Sequence, residues 1–315
     1  MQKMKSLNFV AITLFCSTFL SSPLHVLADG DSSIADELRA AKEELTNESY
    51  LLQYKYAAEE VIQYSIEHLA TVDTTITGNN QKTKLRTKST RSIHVKKPTA
   101  EGHMQFVHII DDVDMWSEVA GREAVRYNSA TDEVPPPEFQ QVKKTIGIPL
   151  STITMDAHGK IVSRSDNVVH PEFGLGGLSI PLPRQEIKVG YKWSQPLEIK
   201  VRLEDKRIKT IKTRQLYALE KVETGVATIS VKTQILTPVN NPRVRSQLVQ
   251  RISQGQLRFD LDAGRLISKQ LDWDEAVVGF SGPESNMKYL ARSTETLVDS
   301  DRTAKKSDTN GRRQK

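Results

Sequence analysis

The chain has 315 residues, with 44 Lys and Arg, 39 Asp and Glu, and a formal net charge of +5. Without the two lysines of residues 1–28 and the six basic and three acidic residues of 299–315, residues 29–298 hold 36 basic and 36 acidic side chains. Phosphate binding depends on accumulated positive charge, so this neutral core argues against nucleic acid as a partner.

Residues 1–28 have the pattern of a secretory signal peptide: two early lysines, an apolar run over 7–20, and Ala28 at a small-residue cleavage position. The run is shorter than the ~20 residues that a membrane-spanning helix needs, which favours cleavage before Asp29 over a retained signal anchor. We therefore expect an exported protein, periplasmic or extracellular, that does not span the membrane after processing. Cleavage would remove Cys16, the only cysteine, so no disulfide or thiolate metal site is expected.

Residues 29–49 are predicted to form a short N-terminal helix and linker. Their apolar side chains recur at helical spacing, at Ile34, Leu38, Ala41 and Leu45. From Tyr50 to His68 the period is ambiguous, but the tyrosines and β-branched residues favour strands around a turn at 57–60.

The rest of the chain predicts a mainly β fold of antiparallel strands. Thr77-Gly78-Asn79-Asn80 is a turn sequence between two long threonine-rich segments. Apolar and polar residues alternate over 197–204 and again over 227–235, as in strands with one face exposed to water. Glycines stand where hairpin turns are expected, at Gly102, Gly159, Gly225 and Gly264.

Residues 84–93 recur in similar form as residues 207–216, 123 positions later, with two threonines and one arginine identical. This self-similarity predicts an internal duplication, with a first β repeat over 50–165 and a second over 186–298, arranged as a sandwich or half-barrel. The hairpins 84–110 and 207–233 should then be equivalent. Leu85 and Ile208 should both point inward, and so should Phe106 and Ile229.

Three segments interrupt the β pattern. Prolines 135–137 and Gly147 bracket a predicted short helix near 136–146. Residues 166–185 are rich in proline and glycine and are the expected connector between the halves. The basic segment 299–315 is expected to be a disordered tail, since it has almost no apolar side chains.

No catalytic, metal or cofactor motif is complete. Ser285-Asn286-Met287-Lys288 and Ser165-Asp166-Asn167 match two fragments of the penicillin-binding serine signature, but in reversed order and without its third motif. His103 and His108, five apart on one strand, would point to opposite faces. The pair Asp260 and Asp262 is better explained by a hairpin turn than by calcium, which needs further oxygen ligands. We expect no metal, no cofactor and no catalytic residue, which makes an enzyme the less favoured class.

The repeated segments are basic, and strand alternation puts their charges on one face. This face is a candidate contact surface for acidic polymers or lipid headgroups, comprising Lys82, Lys84, Arg86 and Lys88 in the first half and Arg207 and Lys209 in the second. The alternative is a solvated strand face whose lysines protect against edge-to-edge aggregation.

The signal peptide, the sequence GYKW at 190–193 and the strand turn FDLDAGRL at 259–266 together resemble uncharacterised exported β-rich bacterial proteins of the planctomycete type. That resemblance brings no catalytic residues. Long antiparallel strands in an exported protein are also similar to the half-barrels of periplasmic lipoprotein carriers, an analogy of fold alone.

Three functions follow as hypotheses. The first is a non-catalytic binding or structural protein of the cell envelope, with an unknown protein or envelope polymer as partner. The second is a carrier that holds a lipid or other apolar ligand between its sheets, which would require a concave surface lined by large apolar residues. The third is a hydrolase that uses two converging carboxylates.

Overall fold

The computed structural model describes residues 48–167 and 179–298. The predicted signal peptide with its cleavage site at Ala28 and Asp29, nearly all of the predicted N-terminal helix, the centre of the connector and the basic tail lie outside these residues. Within the described part, no helix is long and apolar enough to cross a membrane.

Twelve strands make up a single antiparallel sheet in the described part of the chain. They are β1 (Val61–Ile76), β2 (Asn79–Val95), β3 (Met104–Val119), β4 (Val125–Asn128), β5 (Pro149–Met155), β6 (Ile161–Asp166), β7 (Lys192–Arg202), β8 (Ile208–Glu223), β9 (Val226–Ile235), β10 (Gln254–Asp260), β11 (Arg265–Val278) and β12 (Asn286–Leu297). The predicted mainly β, antiparallel fold class is confirmed, and the sheet is not closed into a barrel.

The strand order is β6-β5-β3-β2-β1-β12-β11-β10-β9-β8-β7, with β4 paired to β3. Strands β1 to β6 therefore occupy one side of the sheet and β7 to β12 the other, joined where β1 pairs with β12. The two edge strands, β6 and β7, follow each other in sequence.

Two short helical segments accompany the sheet. The predicted helix near 136–146 is confirmed as a 3-10 turn, Pro137–Phe139, followed by α1, Gln140–Lys143. A second helix, α2 (Pro242–Ser246), was not predicted from the sequence; its Asn241 side chain caps it by accepting hydrogen bonds from the backbone N–H groups of Arg243 and Val244.

The sheet curls around one face, here called the inner face, which carries the core side chains. Ring-to-ring distances of 6.4, 5.9 and 5.4 Å link Phe106 on β3 through Tyr56 and Tyr54 to Phe259 on β10. Five strand spacings along a flat sheet would separate β3 from β10 by about 24 Å. The inner face is therefore concave.

Residues before β1 and before β7 cover one end of the inner face. Leu52 and Tyr54 from the first segment, and Ile180, Leu182 and Ile187 from the second, are all buried in the largest core cluster. The two segments also pair with each other, because Tyr50 and Ile187 exchange backbone hydrogen bonds of 2.8 and 3.0 Å.

Both segments predicted to be duplicated form antiparallel hairpins, β2–β3 and β8–β9, with Gly102 and Gly225 at positive φ in their connections. Phe106 and Ile229 are both buried, as predicted. The equivalence of Leu85 and Ile208 is wrong: Leu85 is half-buried on the inner face, whereas Ile208 is 65% exposed.

The physical reason is the odd offset of 123. Inner-face side chains are odd-numbered on β2, such as Ser89, Arg91 and Ile93, and also on β8, such as Ile211 and Tyr217. Because the inner face carries odd numbers on both of these strands, the odd offset matches an inward residue of β2 to an outward residue of β8. The ten-residue similarity is thus not a repeat of packing, and a common origin of the two halves remains a prediction.

Candidate functional site

A cavity of about 270 Å³ lies on the inner face where β1, β2, β11 and β12 run side by side. Its lining includes residues packed on the largest core cluster and on a smaller one around Ala70, Val249, Val277 and Tyr289, and Trp273 contacts both. Its volume is near the lower end of the roughly 300–1,000 Å³ of small-molecule sites. The lining residues are Ile66, His68, Val72, Leu85, Thr87, Ser89, Arg91, Gln250, Arg251, Trp273, Tyr289 and Ser293.

Strand alternation and register bring these side chains together. On β2 the odd-numbered residues from Leu85 to Arg91 face the cavity, while Arg86 and Lys88 between them face outward. The pairing of His68 with Ser293 places a β1 and a β12 residue side by side on the same face. The positions of the cavity side chains therefore depend on the pairing of β1 with β12, two strands more than 200 residues apart in sequence.

Residues 247–252, here called the covering loop, cover part of the cavity on the side away from the sheet, where Gln250 and Arg251 line it. Gln247 anchors the loop to β7: its Nε2 donates to the carbonyl of Arg202 at 2.8 Å, and its Oε1 accepts from the N–H of Arg202 at 2.9 Å. Val249 is buried against the sheet. Trp273 Nε1 donates to the carbonyl of Gln250 at 3.2 Å, which joins the loop to the cavity wall.

Apolar and aromatic groups make up much of the wall. Trp273 packs edge-to-face against His68, with ring centroids 5.9 Å apart and an interplanar angle of 83°. Desolvation by burial lowers the pKa of His68, so its imidazole is neutral at pH 7. Burial likewise raises the pKa of Tyr289. Both groups are uncharged near neutral pH.

Arg91 is the buried cation on this wall, since it is only 7% exposed, whereas Arg251, the other arginine of the lining, is exposed. Its Nε has no hydrogen-bond partner, and the described residues form no ion pair with its guanidinium. Desolvation lowers the pKa of Arg91 to about 10, against the attraction of Glu295, so the group remains charged at pH 7. The hydroxyl of Ser89, two residues away on the same face, is also buried without a partner.

Glu295 forms an ion pair with Lys269 rather than with Arg91. Its Oε2 lies 2.6 Å from Lys269 Nζ, in an ion pair whose side chains are 10% and 8% exposed. One carboxylate thus serves two buried cations on the inner face, and the positive charge of Arg91 is left in excess.

The predicted basic face lies elsewhere, and the structure does not bring its two parts together. Five strands separate β2 from β8. The side chains of Lys82, Lys84, Arg86 and Lys88 lie on the outer face of β2, whereas Lys209 lies on the same face of β8 as buried Ile211.

Several of these charges have acidic partners. Arg86 pairs with Glu67 at 2.8 Å and with Asp114 at 3.5 Å, and Lys84 lies 3.8 Å from Glu118. Arg207 pairs with Asp205 at 2.6 Å. These ion pairs favour the alternative of a solvated face, while polymer or headgroup contact remains a prediction.

The serine and aspartate fragments serve turns. Ser285 Oγ donates to the carbonyl of Gly282 and accepts from the N–H of Ser281, both at 2.7 Å. Asp260 Oδ1 accepts from the N–H groups of Asp262 and Ala263, as the hairpin interpretation requires. Over the two described ranges, no cluster of three or more His, Cys, Asp or Glu is placed to hold a metal ion.

A larger groove, of about 730 Å³, runs along β8 to β11 and is lined mostly by outer-face side chains. Its wall mixes both signs of charge in Lys192, Glu220, Lys232, Arg258 and Asp272. Its large apolar residues are Leu216, Tyr217 and Val231 among mostly polar side chains, so the inner cavity is the better candidate for an apolar ligand.

No protein-family model matches the chain, and no curated protein matches it. Among solved structures, one concerned with lipid–protein interactions in lipovitellin is similar with a TM-score of 0.45 and 13% identity, over 78% of this chain and 26% of that chain. DynF, from the dynemicin biosynthesis pathway of Micromonospora chersina, is similar with a TM-score of 0.22 and 7% identity, over 81% and 92%. The chain spans about a quarter of the lipovitellin chain. Likenesses this distant define neither a family nor a function.

Proposed function

We propose that this protein is a binding protein that holds an apolar small molecule in the cavity between its curved sheet and the covering loop, and that it acts as a carrier. Of the functions expected from sequence, this is the apolar-ligand carrier. Its placement outside the cytoplasm rests on residues 1–28 alone and remains part of the proposal.

The observation that supports the proposal is the cavity itself. A concave sheet face with Ile66, Val72, Leu85, Trp273 and Tyr289 around a partly open cavity has the composition of small-molecule sites. Each 100 Å² of apolar ligand surface removed from water there would contribute about 2.5 kcal/mol. The covering loop supplies the second wall that shields such a ligand from water.

Filling the cavity tests the proposal. Ser293 lies on the cavity wall and is buried, so Ser293→Phe places a phenyl ring in the ligand space. The matched control is Thr296→Phe, three residues along β12 and exposed on the outer face. N-phenyl-1-naphthylamine, a neutral dye whose fluorescence rises in apolar surroundings, is titrated into each full-length protein.

We expect Ser293→Phe to weaken dye binding at least tenfold and Thr296→Phe to leave it within twofold of wild type. Circular dichroism and thermal unfolding establish that both variants are folded. Absence of dye binding to the wild type, or equal binding by all three folded proteins, contradicts the proposal.

A further inference from the structure

The cavity wall contains a buried charge that the protein itself does not neutralise. Arg91 is more than nine-tenths buried, lines the cavity, and has an Nε atom without a hydrogen-bond partner. The buried hydroxyl of Ser89, also on the wall, has no partner either. Two unused donors therefore stand together on one face of β2.

Comparison with the rest of β2 shows how unusual this is. Arg86, five residues earlier, points to the outer face and pairs with carboxylates from both neighbouring strands. A cation in a desolvated site is costly when it lacks its own counter-charge, and Glu295, which attracts Arg91, is already paired with Lys269. A group with this cost and no structural partner is characteristic of a site that is completed by a ligand.

We propose that the ligand of this cavity is an amphiphile with an anionic group, which binds the guanidinium of Arg91 and accepts a hydrogen bond from the hydroxyl of Ser89. This inference rests on the proposed function. The apolar part of the ligand would lie against Leu85, Trp273 and Tyr289, on the wall beyond Arg91. A carboxylate or a phosphate has the chemistry that an arginine recognises, through paired N–H···O bonds.

Two dyes of nearly the same shape separate charge from apolar contact. N-phenyl-1-naphthylamine is neutral, and 8-anilino-1-naphthalenesulfonate adds one sulfonate to the same ring system. Arg91→Met keeps an apolar stem but removes the charge, and Arg91→Gln keeps donors without the charge. Lys84→Met is the matched control, because it removes a cation from the outer face of the same strand.

We expect both Arg91 variants to lose at least tenfold in affinity for the anionic dye and to bind the neutral dye within threefold of wild type. Lys84→Met should change neither. Displacement of the neutral dye by decanoate and by decyl phosphate, with decan-1-ol as the uncharged reference, identifies which anion the wild type prefers. That preference should disappear in Arg91→Met.

Stability without ligand gives a second readout. Arg91→Met should raise the thermal midpoint, since it removes a buried charge whose Nε has no hydrogen-bond partner and which shares its nearest carboxylate with Lys269. A lower midpoint, or failure of both Arg91 variants to fold, would show that Arg91 has a structural role and would overturn the inference.

The outcomes distinguish the two proposals. Neutral-dye binding that Ser293→Phe abolishes, together with anionic-dye binding that does not depend on Arg91, contradicts only the anionic ligand. Anionic-dye binding that requires Arg91 without neutral-dye binding contradicts the apolar carrier and leaves an anion site. Binding of neither dye contradicts both.

Discussion

A buried ion pair joins Lys269 on β11 to Glu295 on β12, on the inner face of the sheet. The two side chains are about nine-tenths buried and 2.6 Å apart. Glu295 also attracts Arg91. Water does not stabilise these buried charges, so the two cations are stabilised by Glu295. Removal of this carboxylate would leave both cations without a counter-charge.

Glu295→Gln should therefore lower the free energy of unfolding by about 3–5 kcal/mol. The control is Asp272→Asn, which breaks the ion pair between Asp272 on β11 and Arg292 on β12. Both of these side chains are substantially exposed. That change should cost no more than about 1 kcal/mol. Urea unfolding of both variants measures the difference, and equal losses would contradict the importance assigned to the buried carboxylate.

Part of this chemistry could be predicted from sequence. Strand alternation puts Lys84, Arg86 and Lys88 on one face of β2 and puts Arg91 on the other, with Leu85 and Ile93. That change of face is the local signal that separates Arg91 from the outward lysines. The pairing of Lys269 with Glu295 has no local signal, because it depends on the register of β11 against β12.

The β10–β11 turn connects two strands and also contacts the segment that precedes β1. Gly264 has a φ of +60°, and its carbonyl accepts a hydrogen bond of 2.9 Å from the N–H of Lys55. A Cβ at this position would lie 2.6 Å from that nitrogen and 2.7 Å from the carbonyl oxygen of Gln53. The absence of a side chain thus allows the segment with Tyr54 and Tyr56 to lie over the core.

Gly264→Ala should destabilise the protein by about 2–4 kcal/mol, from left-handed backbone strain together with the steric clash. Gly78→Ala is the matched control. It has a φ of +80° in the β1–β2 turn but open space around the added carbon, so it should cost only about 1 kcal/mol. Thermal and urea unfolding compare the two. A Gly264→Ala loss no larger than that of Gly78→Ala would show that the close approach to Lys55 is unimportant.

Strands and turns were the predictable elements. Period-two alternation identified β7 and β9, and turn glycines identified the hairpin connections, because both signals are local. The five residues of α2 are too few to show a helical period. The covering loop that follows α2 carries the second wall of the cavity, and no periodic pattern marks it.

At the scale of the whole molecule, the cavity results from how the sheet is assembled. Strands β1 and β12, from opposite ends of the described chain, pair at the centre, and the sheet curls so that both ends of its inner face are covered. The space between the two covers is the cavity. The duplicated segments suggested two halves, but the sequence contains no signal for the β1–β12 junction, since strand order depends on long-range pairing.

The central claim is that this cavity binds an apolar ligand. Crystals of the full-length protein soaked with 10-bromodecanoate test it directly, because anomalous diffraction locates the bromine without reference to the protein atoms. We expect the bromine peak inside the cavity, within about 4 Å of Leu85, Trp273 or Tyr289, with the carboxylate at Arg91. Bromine found only on the outer face, or no ordered bromine in the cavity at a ligand concentration that displaces the neutral dye, would contradict the claim.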